Sequence, residues 1–153
     1  HQAFTNNGGR FTAEEFRLWI RPQDEKMMKA TNAVSNYNIV HLCGYPGMQN
    51  NMEVWADYAG GVVHWDQHTD KLPIEEAKVV FKNKRALMAG FDNKVGNVLY
   101  DAPKDVVKAI AKGYVHTGGK TGFILSADCS ITDDFPNERL TWVRDALEEL
   151  AAE

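Results

Sequence analysis

Apolar residues along this chain switch repeatedly between a period of about 3.6, which marks helices, and short β-branched runs, which mark strands. Near the start, Thr12 and Glu15 have the spacing of a capping box. Phe16, Trp19 and Ile20 follow as an apolar stripe that Met27 and Met28 continue. Pro22 falls inside that stripe, so a kinked or broken helix is expected there. The run Ile39-Val40-His41-Leu42-Cys43 reads as a buried strand closed by Gly44, Pro46 and Gly47. Met48, Met52 and Trp55 then sit at helical spacing, and Gly60-Gly61 separates that helix from a second strand, Val62 to Asp66. Pro73 opens a helix with Ile74, Ala77, Val80 and Phe81 on its inner side, ahead of a strand over Ala86 to Ala89. Pro103 opens the next helix, with Val106, Val107, Ile110 and Tyr114 inside and Gly118-Gly119 as its stop. Phe123 to Leu125 is the last strand. The segment Asp133, Asp134, Pro136, Asn137 reads as the start of a final helix, with Leu140, Val143, Leu147 and Leu150 as its stripe.

Four strands separated by helices of this length imply parallel pairing through right-handed crossovers, with both sheet faces covered. The fold class is therefore α/β. No Pro/Ser-rich linker divides the chain, so residues 1–153 read as one domain, with residues 1–10 expected to be an irregular or disordered lead-in. A complete (βα)8 barrel takes about 250 residues. Four units are half of that, which leaves two architectures: a small open sheet, or a (βα)4 half-barrel. The chain opens on His1 rather than Met, with no signal-like stretch after it, so it is expected to be a processed product or a piece of something longer.

Charge narrows the partners. With 21 acidic against 17 basic residues, neither a nucleic-acid surface nor a polybasic membrane patch is expected. No run approaches the ~20 apolar residues of a membrane span. Two cysteines are too few for a disulfide framework, and with no targeting signal the expected location is the cytoplasm.

Those cysteines bear on the chemistry. His41 and Cys43 are two apart on one strand and so face the same way, and Cys129 lies just past the end of the last strand. Sites in α/β folds gather at the carboxyl ends of strands. One imidazole and two thiolates form a zinc-type ligand set whose open fourth position would make the site catalytic. Two sulfurs on one zinc are ~3.8 Å apart, whereas strands three places apart in a flat sheet are separated by ~14 Å. A shared site therefore requires a curled sheet. The competing reading is that both cysteines are small hydrophobes in the core. His64, Asp66 and His68 alternate at the end of the second strand. Asp66 is the local candidate for a weak fourth ligand or a supporting partner, or else a loop-capping carboxylate. His64 reads as a buried neutral histidine, His68 as a solvated loop residue, and Asp92 as either a pocket or a turn residue.

The blocks FTAEEFRLWIRP, IVHLCG, ALMAGFDN and GFILSADCSITDDFPNERLTWV resemble the uroporphyrinogen decarboxylase superfamily, in the order found in the carboxy-terminal half of its chains. The resemblance implies the carboxy-terminal half of an eight-fold TIM-type barrel. In the decarboxylase branch, the segment after the last strand carries Gly-His-Gly, whereas this chain has Ala127-Asp128-Cys129. In the corrinoid-dependent methyltransferase branch, a His-x-Cys pair and a later Cys hold zinc, and His41, Cys43 and Cys129 match those positions. The resemblance thus implies Zn2+ as cofactor, a corrinoid (cobalamin) carried on a partner protein, and a small-molecule methyl acceptor or donor such as a thiol or a methoxylated compound. Two other functions stay open: a cofactor-free decarboxylase of the porphyrinogen type, and an inactive fragment. Half a barrel is also expected to need the other half or to self-associate.

Overall fold

A computed structural model describes residues 10–43, 48–82 and 85–153. The expected lead-in lies outside them except for Arg10, as do Gly44, Pro46 and Gly47, the expected close of the first strand. The elements run α1 (Ala13–Glu15), a π-helical turn (Phe16–Ile20), α2 (Arg21–Asn32), β1 (Ile39–Leu42), a 3-10 turn (Met52–Trp55) and β2 (Val62–Trp65). They continue with α3 (Ile74–Val80), β3 (Ala86–Phe91), α4 (Val98–Asp101), α5 (Lys104–Gly118), β4 (Phe123–Ala127) and α6 (Glu138–Ala152). The strands form one parallel sheet in the order β1-β2-β3-β4. This is the α/β architecture of a partial TIM-type barrel. No helix among the described residues is long and apolar enough to cross a membrane.

The capping box is present: Glu15 N–H donates to Thr12 Oγ1 at 3.1 Å, and Thr12 N–H to Glu15 Oε2 at 2.8 Å. Pro22 acts one residue earlier than its own position. It has no N–H and its ring crowds the carbonyl four residues back, and the chain meets it with a π turn in which Arg21 N–H donates to the Phe16 carbonyl. That wider turn shifts the phase of the stripe. Phe16 is fully buried, whereas Trp19 and Met27, expected inside, are exposed. A second correction concerns Met48, Met52 and Trp55, whose helix is only the short 3-10 turn, capped by the Asn51 side chain. Two later helices are rotated from the expected stripe. In α5 the inward residues are Val107 and Ala111, with Val106 and Ile110 partly exposed. In α6 Leu140 is exposed because Arg139, one position earlier, takes the inward place and donates to the Leu99 and Ala102 carbonyls. Pro136 precedes the N-cap Asn137 and so stands outside that helix.

Alternation along the strands separates two faces. Val40, Leu42, Val63, Trp65, Leu87 and Ala89 point into the main core with Phe16, Trp55, Ile74, Ala77 and Phe81. A second cluster joins Phe91 and Leu99 to Val107, Ala111, Phe135 and Ala146, and seats α5 on β3 and β4 and α6 on α5. Gly118 permits that seating: a Cβ there would lie 2.2 Å from the Phe123 ring. The opposite face carries His41, His64, Met88 and Ile124 in one register row, and these stay half-buried or exposed. That face carries the candidate functional groups.

Candidate metal centre

The site is built at the carboxyl ends of β1 and β4. Strand alternation brings His41 and Cys43 to the same concave face, and Cys129 follows Ala127, the last residue of β4, by two positions. The Cys43 and Cys129 Sγ atoms are 4.0 Å apart, and Cys129 Sγ is 3.6 Å from His41 Nε2. Ligand atoms of all three residues lie within 4.8 Å of one another. A tetrahedral zinc with Zn–S of ~2.3 Å and Zn–N of ~2.05 Å separates its donors by ~3.8 Å (S···S) and ~3.6 Å (S···N). The donor set and its spacing both fit zinc. The contact spans three strand steps, which a flat sheet would hold ~14 Å apart, so the curl of the sheet is what creates the site.

Electrostatics suit the imidazole donor and oppose the Cys129 thiolate, whose proton a metal ion would have to displace. Burial, helped by His64, pushes the His41 imidazole down to about 4, so at neutral pH it is the uncharged ring that ligates metals. Burial raises the Cys129 thiol, as does Cys43 beside it. The two cysteines are not joined in a disulfide.

Asp66 is not among the three converging donors. Its Oδ1 accepts from Thr69 N–H at 2.8 Å and its Oδ2 from the Thr69 hydroxyl at 2.6 Å, so it caps the turn after β2. It belongs instead to a second group with His68 and Asp128. Asp128 is fully buried directly behind Cys129; its Oδ2 accepts from His68 Nδ1 at 2.6 Å, and its backbone N–H donates to the Phe91 carbonyl at 2.8 Å. Burial, with the nearby Asp66, raises the Asp128 carboxyl to about 7. Burial opposes ionisation of Asp66 as well, but hydrogen bonds from Asp128 and Thr69 outweigh it and leave Asp66 lowered. The hydrogen bond to Asp128 raises His68, which stays exposed in its loop, as read, while its ring is tied to a buried carboxyl. Asp92 accepts from Lys94 Nζ at 3.0 Å, and Lys94 also reaches Asp66 at 3.5 Å.

One support, Asn50, escaped the sequence reading, and the other, His64, is the scaffold-bonded neutral histidine expected, its partner now identified. Asn50 donates its backbone N–H to the buried Asp70 (2.7 Å) and its side-chain amide to the Cys43 carbonyl (3.3 Å). His64, read as a buried scaffold histidine, bonds across the sheet to Ala127 at 2.8 Å and has burial pushing its ring down. The alternation of His64 and Asp66 opposite His41 and Cys43 was the available signal. Asp128 had only its position beside Cys129 to mark it.

No curated protein matches this chain. Among solved structures, a methyltransferase from Methanosarcina mazei superposes on 92% of the chain with a TM-score of 0.73 and 19% sequence identity. The match covers 38% of that protein, so this chain spans well under half its length, and at such identity the likeness speaks for the fold alone. The sequence profile of uroporphyrinogen decarboxylase (URO-D) matches residues 1–150, nearly end to end. On that match, together with a parallel half-barrel of the same architecture, the chain belongs to the uroporphyrinogen decarboxylase family.

Proposed function

We propose that this chain is the metal-holding part of a zinc-dependent methyltransferase that moves a methyl group between a corrinoid protein and a thiol or methoxylated small molecule. The observation that carries the reading is the convergence of His41, Cys43 and Cys129 from the ends of β1 and β4 at tetrahedral spacing. The structural likeness to a methyltransferase agrees with it. So does Cys129, in a segment where the resemblance places a histidine in decarboxylases. Zinc held there would keep a substrate thiol ionised near neutral pH, or draw electron density from a methoxyl oxygen. His41 contributes a neutral ring, and Cys43 and Cys129 contribute the anionic ligands. Asp66, capping its turn, supports the neighbourhood rather than completing the ligand set.

The other half of a barrel, supplied by the same protein or by a second copy, would cover the exposed inner face and the edges of β1 and β4, where Ile39 and Ile124 are exposed. Two unbridged thiols 4.0 Å apart suit a reducing compartment, in keeping with the cytoplasm. The test is elemental analysis of the protein and of its Cys43→Ser and Cys129→Ser variants, followed by transfer from methylcobalamin to thiols. One zinc per chain, lost in either variant, supports the reading. Folded protein that takes up no zinc, and that decarboxylates a porphyrinogen instead, overturns it.

A further inference from the structure

Parallel pairing alone does not bring the end of β4 to the end of β1, because two strands lie between them. One side chain reaches over that gap. His64 stands on β2 directly opposite His41 in the register, with the two ring centroids 4.6 Å apart. From there its Nε2 lies 2.8 Å from the carbonyl oxygen of Ala127, at the end of β4. A carbonyl only accepts, so the ring donates from Nε2 and is the Nε2–H tautomer. The bond passes over β3, which pairs with β4 through Gly90 opposite Ser126 and Phe91 opposite Ala127. Ala127 is two residues before Cys129, so whatever fixes this carbonyl fixes the base of the segment that carries the thiol.

We infer that His64 is a positioning residue of the metal centre: its Nε2–H bond to Ala127, made over β3, sets where the Cys129 thiol stands relative to His41 and Cys43. The inference rests on the zinc reading above and adds a residue outside the ligand set. Metal–ligand distances tolerate only about ±0.2 Å, so a segment free to drift on one side loses affinity without any ligand being removed. Asp128 supplies a second tether through Phe91 and His68, so loss of the His64 bond loosens the segment without releasing it.

The experiment compares the intact protein with His64→Leu and His64→Gln. Gln keeps an N–H donor of similar reach but no ring, whereas Leu fills space without a donor. Zinc affinity is read by chelator competition and ligand geometry by the visible spectrum of the cobalt(II)-loaded protein, with the metal-free unfolding midpoint as a folding control. His64→Leu is expected to bind zinc at least about tenfold more weakly with altered cobalt bands, and His64→Gln to recover both. Wild-type affinity and spectrum in folded His64→Leu overturn the inference, as does an equal loss in His64→Gln. Should His64→Leu not fold, nitrogen-15 NMR of the histidines in the unsubstituted protein still decides: an Nε2–H tautomer at His64 supports the bond and an Nδ1–H tautomer refutes it. Failure of the zinc reading is distinguishable, since the unsubstituted protein would then bind neither metal.

Discussion

Replacing Gly90 with alanine places a methyl carbon 2.5 Å from the Ser126 carbonyl oxygen and 2.6 Å from Leu125 Cδ1. The leucine can turn aside, but the carbonyl belongs to the β3–β4 pairing, where Gly90 stands opposite Ser126. A carbon–oxygen contact needs about 3.3 Å, so the strands must part locally by about 0.8 Å. Gly90 also has φ +156°, a conformation L side chains rarely adopt. Overpacking of this kind costs roughly 1–3 kcal/mol and the backbone strain a further ~1–3 kcal/mol, so a total of about 2–6 kcal/mol is expected. Gly96→Ala is the control: its φ is +94° but an added Cβ meets nothing within 4 Å, which leaves the conformational cost alone, roughly 1–3 kcal/mol. Urea unfolding of both variants measures the difference. Zinc binding by Gly90→Ala should also weaken, because the displaced strand carries Cys129. Gly90→Ala as stable as Gly96→Ala, with zinc affinity unchanged, would refute the claim that close β3–β4 approach builds the site.

Two further outcomes follow from buried groups. Burial raises Asp70 to about 7 from an ordinary value of 3.8, against the opposing bonds from Asn50, and its Oδ2 is buried with no hydrogen-bond partner. A carboxyl raised in the folded state favours folding while protonated, so its contribution is full below about pH 4 and is lost as pH rises through 7. Asp70→Asn should flatten that dependence and gain stability at pH 8 relative to the parent, on the order of 2–4 kcal/mol, as read by unfolding free energies from pH 4 to 8; parallel pH profiles would count against it. Phe16 is fully buried with its ring centroid 4.5 Å from that of Trp55. Phe16→Ala should therefore cost about 3–5 kcal/mol in the same assay, and a loss below 1 kcal/mol would show the aromatic cluster to be dispensable.

Much of this architecture was legible in the order of the residues, for reasons that are local. Strand runs such as Val62-Val63-His64-Trp65 and the prolines and glycines between elements act within a few residues, and they located all four strands. The pair His41 and Cys43 was legible for the same reason, since a period of 2 sends both side chains one way wherever the strand goes. Local pattern was weaker on which side of a helix faces inward. Val106 and Val107 are equally apolar, as are Leu140 and Leu150, and the choice fell to what packs opposite: Ala146 against α5, and Arg139 reaching the Leu99 and Ala102 carbonyls.

The tertiary structure alone decided what distant segments do to one another. Cys43 and Cys129 are 86 residues apart, and only the curl of the sheet brings their sulfurs to 4.0 Å. Asp66 was a reasonable ligand candidate from its alternation with His64, yet Thr69, three residues on, takes both its oxygens. His68 lay in a polar loop by sequence, and pairs with a buried carboxyl 60 residues away. His64 finds its partner 63 residues on, over an intervening strand. Side-chain period, capping and turn chemistry are short-range and so are written in consecutive residues. Convergence of donors depends on strand order and curl, and these exist only once all four strands have paired.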